Sequence, residues 1–187
     1  MKKVVVVSGS KRKGNTLGLA NIYISEFDKR GYETKLIDLS SLTLNFCDGC
    51  LECEKPEHLC KIDDGFEKII SDLKAADLVI FGTPTRWNLL SGELKCFIER
   101  LNPCAAIDGY ADKNVFIYAL GMCGEEDKES IDYAINSVRI FAEQAQMNVL
   151  GTQAFLNLCG AEDYLDNADA LREICADNVE MLCEKIK

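Results

Sequence analysis

From Lys3 the chain runs through Val4, Val5, Val6 and Val7 with no polar interruption, the pattern of a strand covered on both faces. The run stops at Ser8-Gly9-Ser10. The apolar spacing then changes. Leu17, Leu19, Ala20, Ile22, Tyr23 and Phe27 share a helical face, which Asn15 and Thr16 are placed to cap and Gly31 to close. Glu33 to Leu39 predicts a second strand. Residues 40 to 62 form a long connection. Asp63-Asp64 then opens a helix through Phe66, Ile69, Ile70 and Leu73. Leu78 to Phe81 is a third strand, doubly covered like the first and ended by Gly82-Thr83-Pro84. Ser91 is placed to cap a helix bearing Leu94, Phe97, Ile98 and Leu101. Asn114 to Leu120 is a fourth strand, ending at Gly121 and Gly124. Ile131 to Gln146 is a long amphipathic helix. A fifth strand lies within Val149 to Leu158, and Ala168 to Ile186 is the last helix.

Strict alternation of strand and helix implies a parallel sheet with helices on both faces, joined by right-handed crossovers. Five strands fit a flavodoxin-like doubly wound α/β fold rather than a six-stranded dinucleotide-binding sheet. A single domain over 1–187 is expected, with a cysteine-rich connection at 45–62. Ligands of such folds lie beyond the carboxyl ends of the strands. Three segments rich in small residues fall there: 8–16, 82–88 and 121–124.

Charge narrows the function. Against 21 Lys and Arg stand 31 Asp and Glu, a net charge of −10 over 187 residues. That excludes a nucleic-acid binder, which needs a basic face, and disfavours an anionic membrane surface. No apolar run approaches the roughly 18 residues of a membrane span. Val4 to Val7 is too short for a secretory leader. A cytoplasmic protein is expected.

The first strand-to-helix loop stands out in this acidic chain. Lys11-Arg12-Lys13 supplies three consecutive cations, and Ser10, Asn15 and Thr16 add polar side chains at a helix N-terminus, a favourable place for a phosphate. The segment is nearly a nucleotide-binding P-loop, with Gly9 and Gly14 at the right spacing, but Asn15 stands where the catalytic Lys belongs. It is not G-x-G-x-x-G either. Both a nucleoside triphosphatase and a dinucleotide fingerprint are therefore disfavoured. The bland alternative is an ordinary basic turn.

Ten cysteines are many for a cytosolic chain with an adequate core. Cys47, Cys50, Cys53 and Cys60 fall within fourteen residues, and two successive C-x2-C steps resemble the run that wraps an iron–sulfur cubane. Lys61 stands where ferredoxins carry Pro. Zinc and uncommitted thiols are the alternatives. His58 is the sole histidine, so no Ser/His/Asp set exists. Cys96, Cys159, Cys175 and Cys183 are expected in the core. Cys104 has no evident partner, and Cys123 lies in the third loop.

These motifs together carry a resemblance. Gly9-Ser10-x-Arg12-x-Gly14-Asn15-Thr16 resembles the first loop of the NADPH-dependent FMN reductase family. Thr83-Pro84-Thr85-Arg86-Trp87-x3-Ser91-Gly92-x-Leu94-Lys95-x-Phe97-Ile98-Glu99-Arg100 looks like that family's central motif, with Arg86 in place of a frequent Tyr. The compact cysteine run is similar to that of its iron–sulfur flavoprotein branch. The resemblance implies FMN held by three loops. Ser10, Lys11, Arg12, Asn15, Thr16 and Leu17 would enclose the phosphate. Pro84, Thr85, Arg86, Trp87 and Asn88 would line the ring and ribityl chain. Gly121, Met122, Cys123 and Gly124 would form the third wall. It further implies a [4Fe-4S] cluster on Cys47, Cys50, Cys53 and Cys60, NAD(P)H as electron donor, and a homodimer or homotetramer.

In this picture the flavin carries the chemistry and the chain supplies binding and electrostatics. Three functions compete. The first is an FMN-dependent oxidoreductase serving a small-molecule or protein acceptor. The second is a non-catalytic flavodoxin-like electron carrier, whose acidity serves docking to a basic partner. The third is a zinc-stabilised interaction module.

Overall fold

The computed structural model describes residues 1–55, 57, 60–102, 110–111, 113–121, 124 and 128–186. Five strands form one sheet: β1 (Lys3–Ser8), β2 (Glu33–Asp38), β3 (Leu78–Pro84), β4 (Asn114–Leu120) and β5 (Asn148–Phe155). Their order is β2-β1-β3-β4-β5, and every pairing is parallel. This is the doubly wound flavodoxin-like arrangement. The chain turns back between β1 and β3, where the strand order reverses and a crevice must open.

Successive residues of the buried strands face opposite sides. Val5, Val7, Val79, Phe81, Val115 and Ile117 pack with α2 (Phe66–Ala75), α3 (Gly92–Glu99) and α4 (Glu129–Gln144). Val4, Val6, Leu78, Ile80, Phe116 and Tyr118 pack with α1 (Asn15–Lys29) and α5 (Ala168–Lys185). A short helical turn at Asp163–Asp166 precedes α5. Neither face is left to solvent, which is why the strands read as continuous apolar runs. Among the described residues no helix is long and apolar enough to cross a membrane.

The helix ends follow local chemistry. Gly31 closes α1 with φ +80, and its N–H bonds the Asp28 carbonyl while that of Tyr32 bonds Phe27. This is the Schellman pattern, completed by edge-on contact of the Phe27 and Tyr32 rings at 5.3 Å. Gln146 ends α4 in the same way without being glycine: its φ is 60, and Met147 N–H reaches the Ala142 carbonyl. The Ser91 hydroxyl caps α3 by accepting from Leu94 N–H at 3.1 Å, as the sequence suggests.

Two expected caps do not form. Gly14 precedes α1 and no side chain caps it, because the Asn15 side chain is engaged elsewhere. The helix expected from Asp63-Asp64 begins only at Phe66, with Gly65 as its cap at φ +78. Asp64 is drawn away by Arg100, as described below.

Candidate functional site

The loops after β1 and β3 diverge at the point of strand reversal and are held at a fixed spacing. Gly9 N–H bonds the Gly82 carbonyl at 2.8 Å, and the Ser91 hydroxyl donates to the Gly9 carbonyl. A Cβ on Gly9 would lie 2.5 Å from the Gly82 oxygen, so only glycine allows this approach. Within the first loop, Ser10 Oγ accepts from Arg12 N–H at 3.2 Å, which folds the basic segment into a tight turn.

Between these loops lies a cleft of about 490 Å³, within the usual size of a small-molecule site. The β1 loop and α1 contribute Ser10, Arg12, Gly14, Asn15 and Thr16; the β3 loop contributes Pro84, Thr85, Arg86, Trp87 and Asn88. Leu120 and Gly121 close it from β4. Sequence reasoning missed Ser130, at the start of α4, and Leu158 and Cys159, which follow β5. Cys159 is exposed rather than in the core, whereas Cys96 and Cys175 are buried and Cys183 is half-buried. No periodicity flags a loop residue, so the Cys159 error has no sequence remedy.

Three expected residues stand outside the cleft lining. Lys11 turns away and donates to the Leu42 carbonyl at 3.0 Å. Leu17 and Gly124 do not line it. Met122, Cys123, His58 and Cys104 lie outside the described residues. Asn15 lines the cleft, but its amide donates to the Gly160 carbonyl at 2.8 Å and to Leu158 at 3.4 Å, while its oxygen accepts from Tyr164 N–H. Asn15 thus ties the segment after β5 to the start of α1.

The β3 loop is a two-residue hairpin. Arg86 and Leu89 exchange backbone hydrogen bonds of 2.8 and 3.0 Å. Trp87 and Asn88 between them have φ of 48 and 63, the double positive φ of a type I′ turn. For a bulky residue such as Trp this conformation costs about 1–3 kcal/mol. The hairpin is braced by Ser130, whose hydroxyl donates to Asn88 Oδ1 at 2.7 Å. The strain leaves Trp87 99% exposed at the cleft, not in the core.

The electrostatics of the cleft oppose those of the chain. Its described lining holds Arg12 and Arg86 and no carboxylate, in a protein of net charge −10. Among the described residues neither arginine has an acidic partner. Thr85 Oγ1 is buried there without a hydrogen-bond partner among the described residues. Cations without acidic partners and an orphaned hydroxyl beside a helix start suit an anionic, polar ligand such as a mononucleotide.

A second cavity, of about 590 Å³, lies at the other end of α3. Cys47, Cys50, Cys53 and Cys60 all line it, with Arg100 and Asn102 from the end of α3. Four thiols around one cavity are the donor set of a thiolate-bound metal group. They do not yet converge: among the described residues no three Cys, His, Asp or Glu side chains form a ligand set. The connection is anchored by Arg100, which is 1% exposed and grips Asp64, 7% exposed, through hydrogen bonds of 2.7 and 2.9 Å. Arg100 also donates to the Asn45 carbonyl at 3.0 Å and sits 4.7 Å from the Phe66 ring centre. The guanidinium holds the Asp64 carboxyl well below the usual carboxylate range, against the opposing effect of burial. Nearer the surface, Lys61 pairs with Asp48 at 2.8 Å, and Asp48 accepts from Cys50 N–H.

Residues 2–158 match the model of the NADPH-dependent FMN reductase family. An iron–sulfur flavoprotein of Methanocaldococcus jannaschii is 37% identical over 102 residues, 54% of this chain and 52% of its own length. One of Archaeoglobus fulgidus is 33% identical over 98 residues, 52% of this chain and 48% of its own. The chain spans about half the length of these curated relatives. Among solved structures, a flavodoxin WrbA-like protein from Agrobacterium tumefaciens superposes with a TM-score of 0.62 at 18% identity, covering 100% of both chains.

Proposed function

The chain belongs to the NADPH-dependent FMN reductase family, and from that premise we propose that it is an FMN-dependent oxidoreductase. It takes reducing equivalents from NADH or NADPH and passes them to a small-molecule or protein acceptor in the cytoplasm. The observation that carries this reading is the reversed charge of the cleft, whose described lining has two arginines and no carboxylate in an acidic protein.

Arg12, Ser10 and Thr16 at the start of α1 hold the phosphate, helped by the backbone N–H groups there. Thr85 Oγ1, orphaned in the cleft, receives a polar group of the ligand. Pro84, Trp87 and Asn88 bound the ring and ribityl chain. Arg86 brings a guanidinium to the wall and favours negative charge on what binds. When bound, FMN supplies hydride exchange with a nicotinamide and one-electron exchange with an acceptor. No acid–base pair from the chain is required for either.

The four cysteines would hold a [4Fe-4S] cluster, which would supply one-electron transfer there. Their shared cavity and the names of the two archaeal relatives support this. The protein assembles as a homodimer or homotetramer, in which a second copy covers Trp87 and the half-exposed Leu89.

Anaerobic purification with a visible spectrum, iron and sulfide analysis and an NAD(P)H oxidation assay tests the whole reading. Flavin bands, iron with sulfide, and nucleotide oxidation are expected. A colourless protein that never takes up FMN overturns the central proposal. Flavin without iron removes the cluster, and zinc in its place replaces it. Redox activity of the flavin without nucleotide turnover makes the protein a carrier.

A further inference from the structure

We propose that Asn102 tunes the reduction potential of the metal group at the cysteine cavity by donating a hydrogen bond to its sulfur ligand Cys53. The inference rests on the cluster reading above and concerns a residue that no motif of the sequence singles out for this task. Asn102 Nδ2 lies 3.3 Å from Cys53 Sγ, within reach for a donor to sulfur. Arg100 stands two residues earlier and lines the same cavity. Cys60 lines that cavity as well. Arg100 Nε is buried without an acceptor among the described residues, although both terminal nitrogens are paired.

The physical effect is directional rather than a matter of net charge. Asp64 already balances the Arg100 cation. What remains for the cavity is the oriented amide N–H of Asn102. A donor on a ligating sulfur draws electron density from it, so it favours the reduced, more negative state and raises the potential. One electron enters the metal group and no bond is made or broken. Asn102 is exposed and lies beyond the end of α3, so its side chain is not part of the buried core. It acts as a positioning residue on the ligand rather than as a ligand.

The test uses the full chain reconstituted anaerobically with iron and sulfide, as wild type, Asn102→Ala and Asn102→Asp. Iron content is measured for each, and the midpoint potential is followed by EPR during reductive titration with dithionite. Equal iron in all three is expected. Asn102→Ala should shift the one-electron equilibrium about tenfold toward the oxidised state, a fall of about 59 mV. Asn102→Asp, which replaces a donor by an anion, should lower it further. Full iron with an unchanged potential in both variants overturns the inference and leaves the cluster standing. A wild type that takes up no iron overturns the cluster reading and this inference with it.

Discussion

Arg100 and Asp64 form a buried two-point ion pair, at 2.7 and 2.9 Å, between residues 36 apart in the chain. One lies at the end of α3 and the other at the end of the cysteine connection. The pair is thus the clasp that closes the connection onto the core. Asp64→Asn keeps the shape but leaves a buried cation uncompensated, which should cost about 3–5 kcal/mol. Urea unfolding measures this directly. A loss under 1 kcal/mol would mean that solvent reaches the pair.

The same pair sets an acid dependence. The Asp64 carboxyl is held below its ordinary value in the folded chain, chiefly by Arg100. The folded state therefore binds this proton less readily than the unfolded state. The stabilisation is complete above the ordinary carboxylate value of about 3.9 and is lost as pH falls through the depressed folded-state value. Unfolding measured from pH 6 to pH 2 should show a steeper acid decline for wild type than for Asp64→Asn. Parallel curves would exclude this carboxylate as the source.

Arg12 should distinguish two flavins. It lines the cleft with no acidic partner among the described residues. Removing a charged donor to a phosphate costs about 1.5–3 kcal/mol, or roughly 10- to 100-fold in affinity. Arg12→Ala should weaken FMN by that factor and leave riboflavin, which lacks the phosphate, nearly unchanged. Fluorescence titration of both ligands checks it, and equal losses would place the phosphate elsewhere.

The buried strands and the C-terminal end of α1 were legible because they rest on local patterns. Val4 to Val7 and Leu78 to Phe81 are doubly buried, so their sequences show it without reference to anything distant. Gly31 and Ser91 act within four residues of their own helix ends. The failures share one cause, a partner far away in sequence. Asp64 looks like a helix start but answers to Arg100. Asn15 looks like a cap or a phosphate donor but is taken by Gly160, 145 residues on. Lys11 sits in a basic loop yet bonds the Leu42 carbonyl. In the candidate site, the first and central loops were found by their motifs. Cys159 and Ser130 arrive by tertiary packing alone.

Thr85 offers a test of opposite signs. Its hydroxyl is buried without a partner among the described residues. Thr85→Val removes the orphaned group at nearly constant volume. The flavin-free protein should be unchanged or up to about 1 kcal/mol more stable. FMN binding should weaken by several-fold in the same variant. Paired thermal unfolding and binding measurements decide, and a large loss of stability without FMN would show that the hydroxyl already has a structural partner.

Gln146 and Gly31 occupy equivalent helix ends with left-handed φ of 60 and +80. Only glycine takes that conformation without penalty. Gln146→Gly should stabilise the fold by about 1 kcal/mol and Gly31→Ala should destabilise it by a similar amount. In a chain of this size the melting temperature should rise or fall by about 2–4 °C. Shifts of the same sign would refute the shared origin.

Helix α3 is pinned at both ends, by Ser91 to the Gly9 carbonyl and by Arg100 to Asp64. Its eight residues therefore act as a yardstick about 12 Å long between the two cavities. A single inserted residue would swing the far anchor by about 100° and tear it from its mate, although neither cavity had been touched. Four inserted residues would nearly restore the facing while pushing the cavities about 6 Å apart. Spacing and orientation between the two cavities are thus written in one short rod, and its residue count is a quantity that selection can read.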